Sequence, residues 1–169
     1  MPDRPLVRPV RSGDAGAICA LYNHYVANTV VSFEEDAVSR GEMARRIAEV
    51  TSGYPWFVYE DGEAVRGFAY AGRWKTRSAY RYCAESTVYV DKDYVGRGIG
   101  TSLYSRLLDE LRERDLRTVM AVIAQPNPGS AALHRASGFR EAGVFTGVGF
   151  KFGTWIDVAY WQLSLRSGD

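Results

Sequence analysis

Residues 88–104 read VYVDKDYVGRGIGTSLY: an alternating apolar run, then three glycines within five positions, then a segment at helical spacing. Ile99, Leu103, Leu107 and Leu111 follow four apart, which puts them on one face of a helix. A strand that turns through glycines into an amphipathic helix leaves that helix little choice but to pack on the strand's own sheet. An α/β arrangement follows. The start of such a helix presents N–H groups with no intrahelical partner and a partial positive charge. Glycine lets the backbone come close to an anion and allows positive φ. Gly96, Gly98 and Gly100 around Arg97 therefore read as a cradle for a phosphate, with the guanidinium adding a charge contact. The same glycines would also serve a tight connection with no ligand. Their density, and the arginine among them, favour the cradle.

The rest of the chain agrees with a mixed α/β domain. Residues 6–10, LVRPV, predict a first strand, and Ile18, Leu21, Tyr22, Tyr25 and Val26 recur at helical spacing behind Ser12 and Asp14. NTVVSFEEDAVS reads as a loop and RGEMARRIAEV as a second helix. Two strands, PWFVYE and AVRGFAYAG, flank Asp61-Gly62, a hairpin signal. CAESTVYV (83–90) and TVMAVIA (118–124) are further strands, and NPGSAALHRASGF is a short helix ending at Gly138. The tail, GVGFKFGTWIDVAYWQLSL, predicts a loop and one last strand. The order β-α-α-β-β-β-α-β-α-β describes one domain over residues 1–169, with its core between about 6 and 165 and both faces of the sheet covered.

Several function classes drop out. The net charge of +1 gives no field to attract nucleic acid or an anionic membrane. No apolar stretch approaches the about 18 residues of a membrane helix. The start, MPDRPLVRPVRSGD, has no apolar signal core, so the expectation is a cytoplasmic protein. Cys19 and Cys83 stand far apart, and His24 and His134 have no Cys or His neighbour, so no metal site is expected.

Spacing then narrows the phosphate compound. The dinucleotide fingerprint G-x-G-x-x-G would need a glycine where Thr101 or Leu103 stands. A P-loop would need a lysine after its last glycine, and there is none. The run Val95-Gly96-Arg97-Gly98-Ile99-Gly100 instead resembles the [QR]-x-x-G-x-[GA] loop of the GCN5-related N-acetyltransferases, with Val95 departing at its first position. NPGSAALHRASGF resembles that family's second block, N-x-x-[SA]-x-x-L-[YH]-x-x-x-G-F, in the right order and one strand later. NHY near the first helix and AGRWK…R…Y…ESTVYV resemble the phosphinothricin / methionine sulfoximine N-acetyltransferase subfamily, over nearly the whole chain.

The resemblance implies a mixed, mostly antiparallel sheet whose fourth and fifth strands splay apart to admit the pantetheine arm of acetyl-CoA, with no metal. It implies transfer of acetyl to the α-amine of a small amino-acid analogue, and usually a homodimer. Val88, Tyr89 and Val90 would pair with pantetheine as an added strand, with the Val90 N–H as oxyanion donor. Gly96, Arg97, Gly98, Ile99, Gly100 and Thr101 would hold the pyrophosphate, and Asn127 and Ser130 would contact the pantetheine arm.

Acetyl transfer needs a group to take the amine's proton. Strand alternation puts Glu85, Thr87 and Tyr89 on one face and Ser86, Val88 and Val90 on the other. A carboxylate among aromatics rises in pKa, and the family places an essential glutamate here, so Glu85 is the candidate base. Its plain alternative is an ion pair with Arg77 or Arg81. His134 occupies the helix position where relatives carry a tyrosine that protonates the leaving sulfur, and its alternative is packing. His24 reads as structural. For the acceptor, Lys75, Thr76, Arg77 and Tyr80 lie just before Glu85 and suit a zwitterion with an anionic or polar side-chain end. Ser86 and Thr87 join that set. Phe33 and Trp74 are candidates for an apolar wall, and residues 147–155, with alternate glycines, for a mobile flap over the pocket. Two other readings stay open: the same fold with a polyamine or peptide N-terminus as acceptor, and a CoA-binding module without turnover.

Overall fold

A computed structural model describes residues 6–166; positions 1–5 and 167–169, the ends of the expected 1–169 domain, lie outside the described residues. Seven strands form one sheet. They are β1 (Leu6–Pro9), β2 (Trp56–Asp61), β3 (Ala64–Arg73), β4 (Cys83–Val90), β5 (Thr118–Ala124), β6 (Arg140–Lys151) and β7 (Thr154–Ser164), ordered β1-β2-β3-β4-β5-β7-β6. Every neighbouring pair is antiparallel except β4–β5. The helices are α1 (Ala15–Asn28), α2 (Arg40–Thr51), α3 (Ile99–Arg112) and α4 (Pro128–Ala136).

Two cores hold the layers together. On one face α1 and α2 bury Ile18, Met43 and Ile47 against Trp56, Val58 and Phe68. On the other, the α3 stripe of Ile99, Leu103, Leu107 and Leu111 packs on Phe57, Ala69, Ala84 and Val119. The four-residue spacing thus places α3 as expected. The Ser39 side chain caps α2 by accepting the Glu42 N–H at 3.1 Å. Buried Arg8 ties β1 to the first turn through both Asp14 oxygens, at 2.8 and 2.9 Å, and also meets Glu60. No helix among the described residues is long and apolar enough to cross a membrane.

The tail differs from the expectation of a loop and one strand. Residues 140–164 form a long hairpin, β6 and β7, with Gly149 opposite Ile156, Phe150 opposite Trp155 and Lys151 opposite Thr154. Phe152 and Gly153 make its tight turn at φ 50° and 73°. Residues 149–151 and 154–156 are therefore the paired end of a hairpin, reached across a register shift between Phe145 and Gly149. Gly143, Gly147 and Gly149 hid the strand, because glycine supplies no alternating side chain to read.

The β4–β5 pairing is short. It joins Cys83, Ala84 and Glu85 to Thr118, Val119 and Met120, and ends there, although β4 continues to Val90 and β5 to Ala124. The sheet opens from Glu85 onward.

Candidate active site

The glycine turn sits at the mouth of that opening. Gly96 and Gly98 hold φ of 80° and 79°, a region closed to most side-chain-bearing residues. Gly98 is the N-cap of α3 and makes no side-chain cap bond, and the first N–H groups of a helix have no intrahelical partner. Gly100 is glycine for another reason: a Cβ there would lie 3.0 Å from a Leu133 methyl of α4. Two of the three glycines thus shape the cradle, and the third lets α4 approach. Arg97 is exposed, its guanidinium 4.5 Å from the centre of the Tyr94 ring, on which Arg66 also stacks at 4.2 Å. Ile99 buries its side chain in the core, and Thr101 is exposed.

Ladder geometry fixes what the open edge of β4 offers. The Asp91 N–H donates to the Arg66 carbonyl at 2.8 Å. Alternation then turns the N–H groups of Val88 and Val90 away from β3, into the gap that β5 vacates. The Val90 carbonyl accepts the Tyr25 hydroxyl at 2.5 Å, which ties the last turn of α1 to the end of this strand. An extended amide-bearing chain could pair with that edge.

A cleft of about 470 Å³ lies along the gap, lined by Phe33, Glu85, Thr87, Asn127, Ser130 and His134 among others. The Asn127 Oδ1 caps α4 by accepting the Ser130 N–H at 3.0 Å. Glu85 is half-buried, and desolvation pushes its carboxyl above the usual range, the Lys75 ammonium partly offsetting this. Arg81, one of the ion-pair partners that sequence offered it, lies over the Tyr82 ring and donates to the Ser78 carbonyl. Glu85 is also the last β4 residue in register with β5, so its carboxylate stands at the fork.

His134 is buried, 3% exposed, with both ring nitrogens engaged. Nδ1 lies 2.7 Å from the Ser130 carbonyl, which can only accept, so Nδ1 carries the proton. Nε2, 2.7 Å from the Tyr104 hydroxyl, then accepts. Burial lowers the pKa of this imidazole, although the Ser130 bond opposes the shift. A neutral ring with no proton on Nε2 is a poor direct donor to a leaving sulfur. The Tyr104 hydroxyl lies 3.1 Å from that of Ser86, and both side chains line the cleft beside Glu85. Tyr104 was missed because it hides in the apolar stripe of α3; a hydroxyl in such a stripe, needing a partner, was the available signal.

The acceptor residues divide. Phe33 and Thr87 line the cleft with Glu85. Lys75 and Tyr80 line a neighbouring hollow with Trp74, Phe145 and Tyr160, while Arg77 and Thr76 are exposed and line neither. The Trp74 ring meets Tyr160 edge-on at 6.1 Å, and the Lys75 ammonium lies 4.6 Å over its face. His24 pairs with Asn28 on α1, away from the cleft lining. The described residues contain no cluster of His, Cys, Asp and Glu able to hold a metal ion.

Comparison with known proteins adds to this geometry. Residues 7–160 match the family model described as an acetyltransferase (GNAT) domain. The chain is 38% identical to a phosphinothricin N-acetyltransferase of Streptomyces viridochromogenes, over 94% of this chain and 87% of that one. It is 35% identical to an L-methionine sulfoximine/L-methionine sulfone acetyltransferase of Salmonella typhimurium, over 94% of each. Its fold superposes with a TM-score of 0.93 on the crystal structure of a GNAT superfamily phosphinothricin acetyltransferase from Sinorhizobium meliloti in complex with AcCoA. That pair is 38% identical, over 97% of this chain and 90% of that one.

Proposed function

The chain belongs to the GNAT acetyltransferase family, and from that premise we propose that it acetylates the α-amine of a small amino-acid analogue of the phosphinothricin, methionine sulfoximine or methionine sulfone type. Acetyl-CoA is the co-substrate. One observation carries the reading: a half-buried carboxylate of raised pKa, Glu85, stands where β4 and β5 part.

The residues divide the work as follows. The uncapped start of α3, with Gly96 and Gly98, holds the diphosphate by its N–H groups, and Arg97 adds charge. Val88 and Val90 offer N–H groups to the pantetheine amides and to the carbonyl oxygen that gains charge. Asn127 and Ser130 border the arm. Glu85 takes a proton from the incoming ammonium, the freed nitrogen adds to the thioester carbonyl, and as the adduct collapses the C–S bond breaks; the nitrogen's second proton passes by way of solvent to the departing thiolate, which leaves as free thiol. His134 keeps the Tyr104 hydroxyl in place, as its own bonds leave it no proton to give. Phe33 and Thr87 flank the acceptor, and Lys75 and Arg77 draw its anionic groups toward Glu85 from beside the cleft.

The protein acts as a cytoplasmic homodimer in this reading. Strand β6 is an edge strand exposed on both faces over residues 140–146, and Val144, Phe145, Val148, Phe150 and Trp155 are all more than 45% exposed nearby. Such an edge calls for a cover. Sedimentation at micromolar concentration is expected to give twice the chain mass, and Val148→Asp to halve it. A monomeric wild type ends the dimer proposal.

Free-thiol release from acetyl-CoA over a panel of amines tests the activity itself. Strong turnover with phosphinothricin, methionine sulfone or methionine sulfoximine is expected, and little with spermidine or peptides. The reverse order would move the acceptor to another amine class. Tight CoA binding with no thiol release from any amine would leave a binding module.

A further inference from the structure

We propose that Lys151 is a positioning residue for the acceptor: its ammonium, buried where β6 ends, pins the connection between α1 and α2 so that Phe33 stands as a wall of the cleft. Lys151 is 2% exposed. Its Nζ donates to the carbonyls of Val26 and Ser32, each at 2.7 Å. Val26 lies in the last turn of α1, where carbonyls lack intrahelical partners and the helix dipole is negative. The ammonium thus closes that helix and holds the segment leaving it with the same three N–H groups.

Ser32 is the point at which this segment turns inward. It is buried, its hydroxyl lies 2.8 Å from that of Tyr22, and it accepts the Glu34 N–H at 3.2 Å. Phe33 follows directly and lines the cleft with Glu85. Two positions before Lys151, on the same face of β6, stands Gly149. Its missing side chain leaves room for the Phe33 ring, and a Cβ there would run into it. Strand β6 therefore grips the connection twice, by charge at Lys151 and by the bare backbone at Gly149.

Burying an ammonium is unfavourable, and a methionine would fill the space without that cost. What the ammonium adds is two directed, charge-assisted bonds. Of the two carboxylates that offset its burial, Glu34 is already held by Arg46 and the Tyr22 hydroxyl. Neither forms an ion pair with Lys151 among the described residues. The Tyr25 hydroxyl reaches Val90 from the same last turn of α1. That separate bond keeps the strand end in place without Lys151.

This inference rests on the acceptor lying between Phe33 and Glu85. Lys151→Met is expected to raise KM for the amino-acid acceptor about tenfold, as for loss of charged hydrogen bonds, with KM for acetyl-CoA and kcat changed by no more than about twofold. Amide exchange over residues 29–34 is expected to quicken while that of β3 and β4 stays unchanged. Phe33→Ala should reproduce the KM shift, and the double variant should be no worse than Phe33→Ala alone; additive effects would overturn action through Phe33. A uniform loss in both KM values, or unchanged exchange in 29–34, would overturn the proposal. If Lys151→Met does not fold, Gly149→Ala disturbs the other grip with Lys151 intact and should give the same KM split; an unchanged acceptor KM there would overturn it. Should the wild type acetylate no amine, the acceptor reading fails, and the exchange measurement, which needs no turnover, still decides the clamp.

Discussion

Glu85→Gln lowers kcat by roughly 10²–10⁴ and removes its rise with pH, the scale expected for loss of a positioned base. Glutamine keeps the volume and the polar end but cannot take a proton. In the wild type, kcat climbs as the Glu85 carboxyl ionises, above the ordinary glutamate range of about 4.3, because burial opposes its charge. The sign for stability runs the other way. A carboxyl whose folded pKa is raised loses stability as the pH climbs from its unfolded value to its folded one, and the loss is complete above that, so at pH 8 the glutamine protein should melt no lower than wild type. Activity falls while stability does not, which separates lost chemistry from lost fold. The expected profile rises to a plateau with no falling limb near neutrality, since His134 is neutral and fully bonded. A falling limb abolished by His134→Gln would return the acid role to His134. A Glu85→Gln enzyme with a wild-type profile would remove Glu85 as base.

Gly98→Ala raises KM for acetyl-CoA by about tenfold or more and leaves KM for the acceptor nearly unchanged. The Cβ meets nothing within 4 Å, so the penalty is in the backbone alone. Alanine at φ 79° is strained by about 1–2 kcal/mol and relieves it by rotating the peptide that opens α3. The first N–H groups of the helix then point away from the diphosphate. Titration of acetyl-CoA at saturating acceptor, and the converse, reads the two constants. Equal changes in both, or none in the acetyl-CoA constant, would mean that this turn does not hold the thioester. Gly100→Ala is a different experiment, because it presses on Leu133 and shifts α4 with its Asn127 and His134.

Local signals made most of the architecture legible. The glycine turn, the α3 stripe, the Asp61-Gly62 hairpin and the apolar β5 run each have one good physical solution, and the structure adopts it. Strand β6 escaped because its glycines erase alternation. The fork beyond Glu85 came only from the family resemblance, since which strands part is decided by pairing across the sheet. Site residues followed the same division. The shape of the glycine turn was visible because it is set by neighbours in sequence, whereas Glu85 was picked out as a base by the family resemblance. Tyr104, Ser32 and Lys151 were not, because their partners lie 30, 10 and more than a hundred residues away. Lys75 and Tyr80 show the converse: close to Glu85 along the chain, yet lining the hollow beside the cleft with Trp74 and Tyr160.

The parting of β4 from β5 has a consequence for the molecule at rest. Where a continuous sheet would pair the two strands to their ends, β4 beyond Glu85 and β5 beyond Met120 run without each other. If the thioester fills that gap as proposed, it completes the fold as well as the reaction. Heat resistance should then track how much of the donor is on hand, so a cell short of it would hold a looser, more readily degraded enzyme.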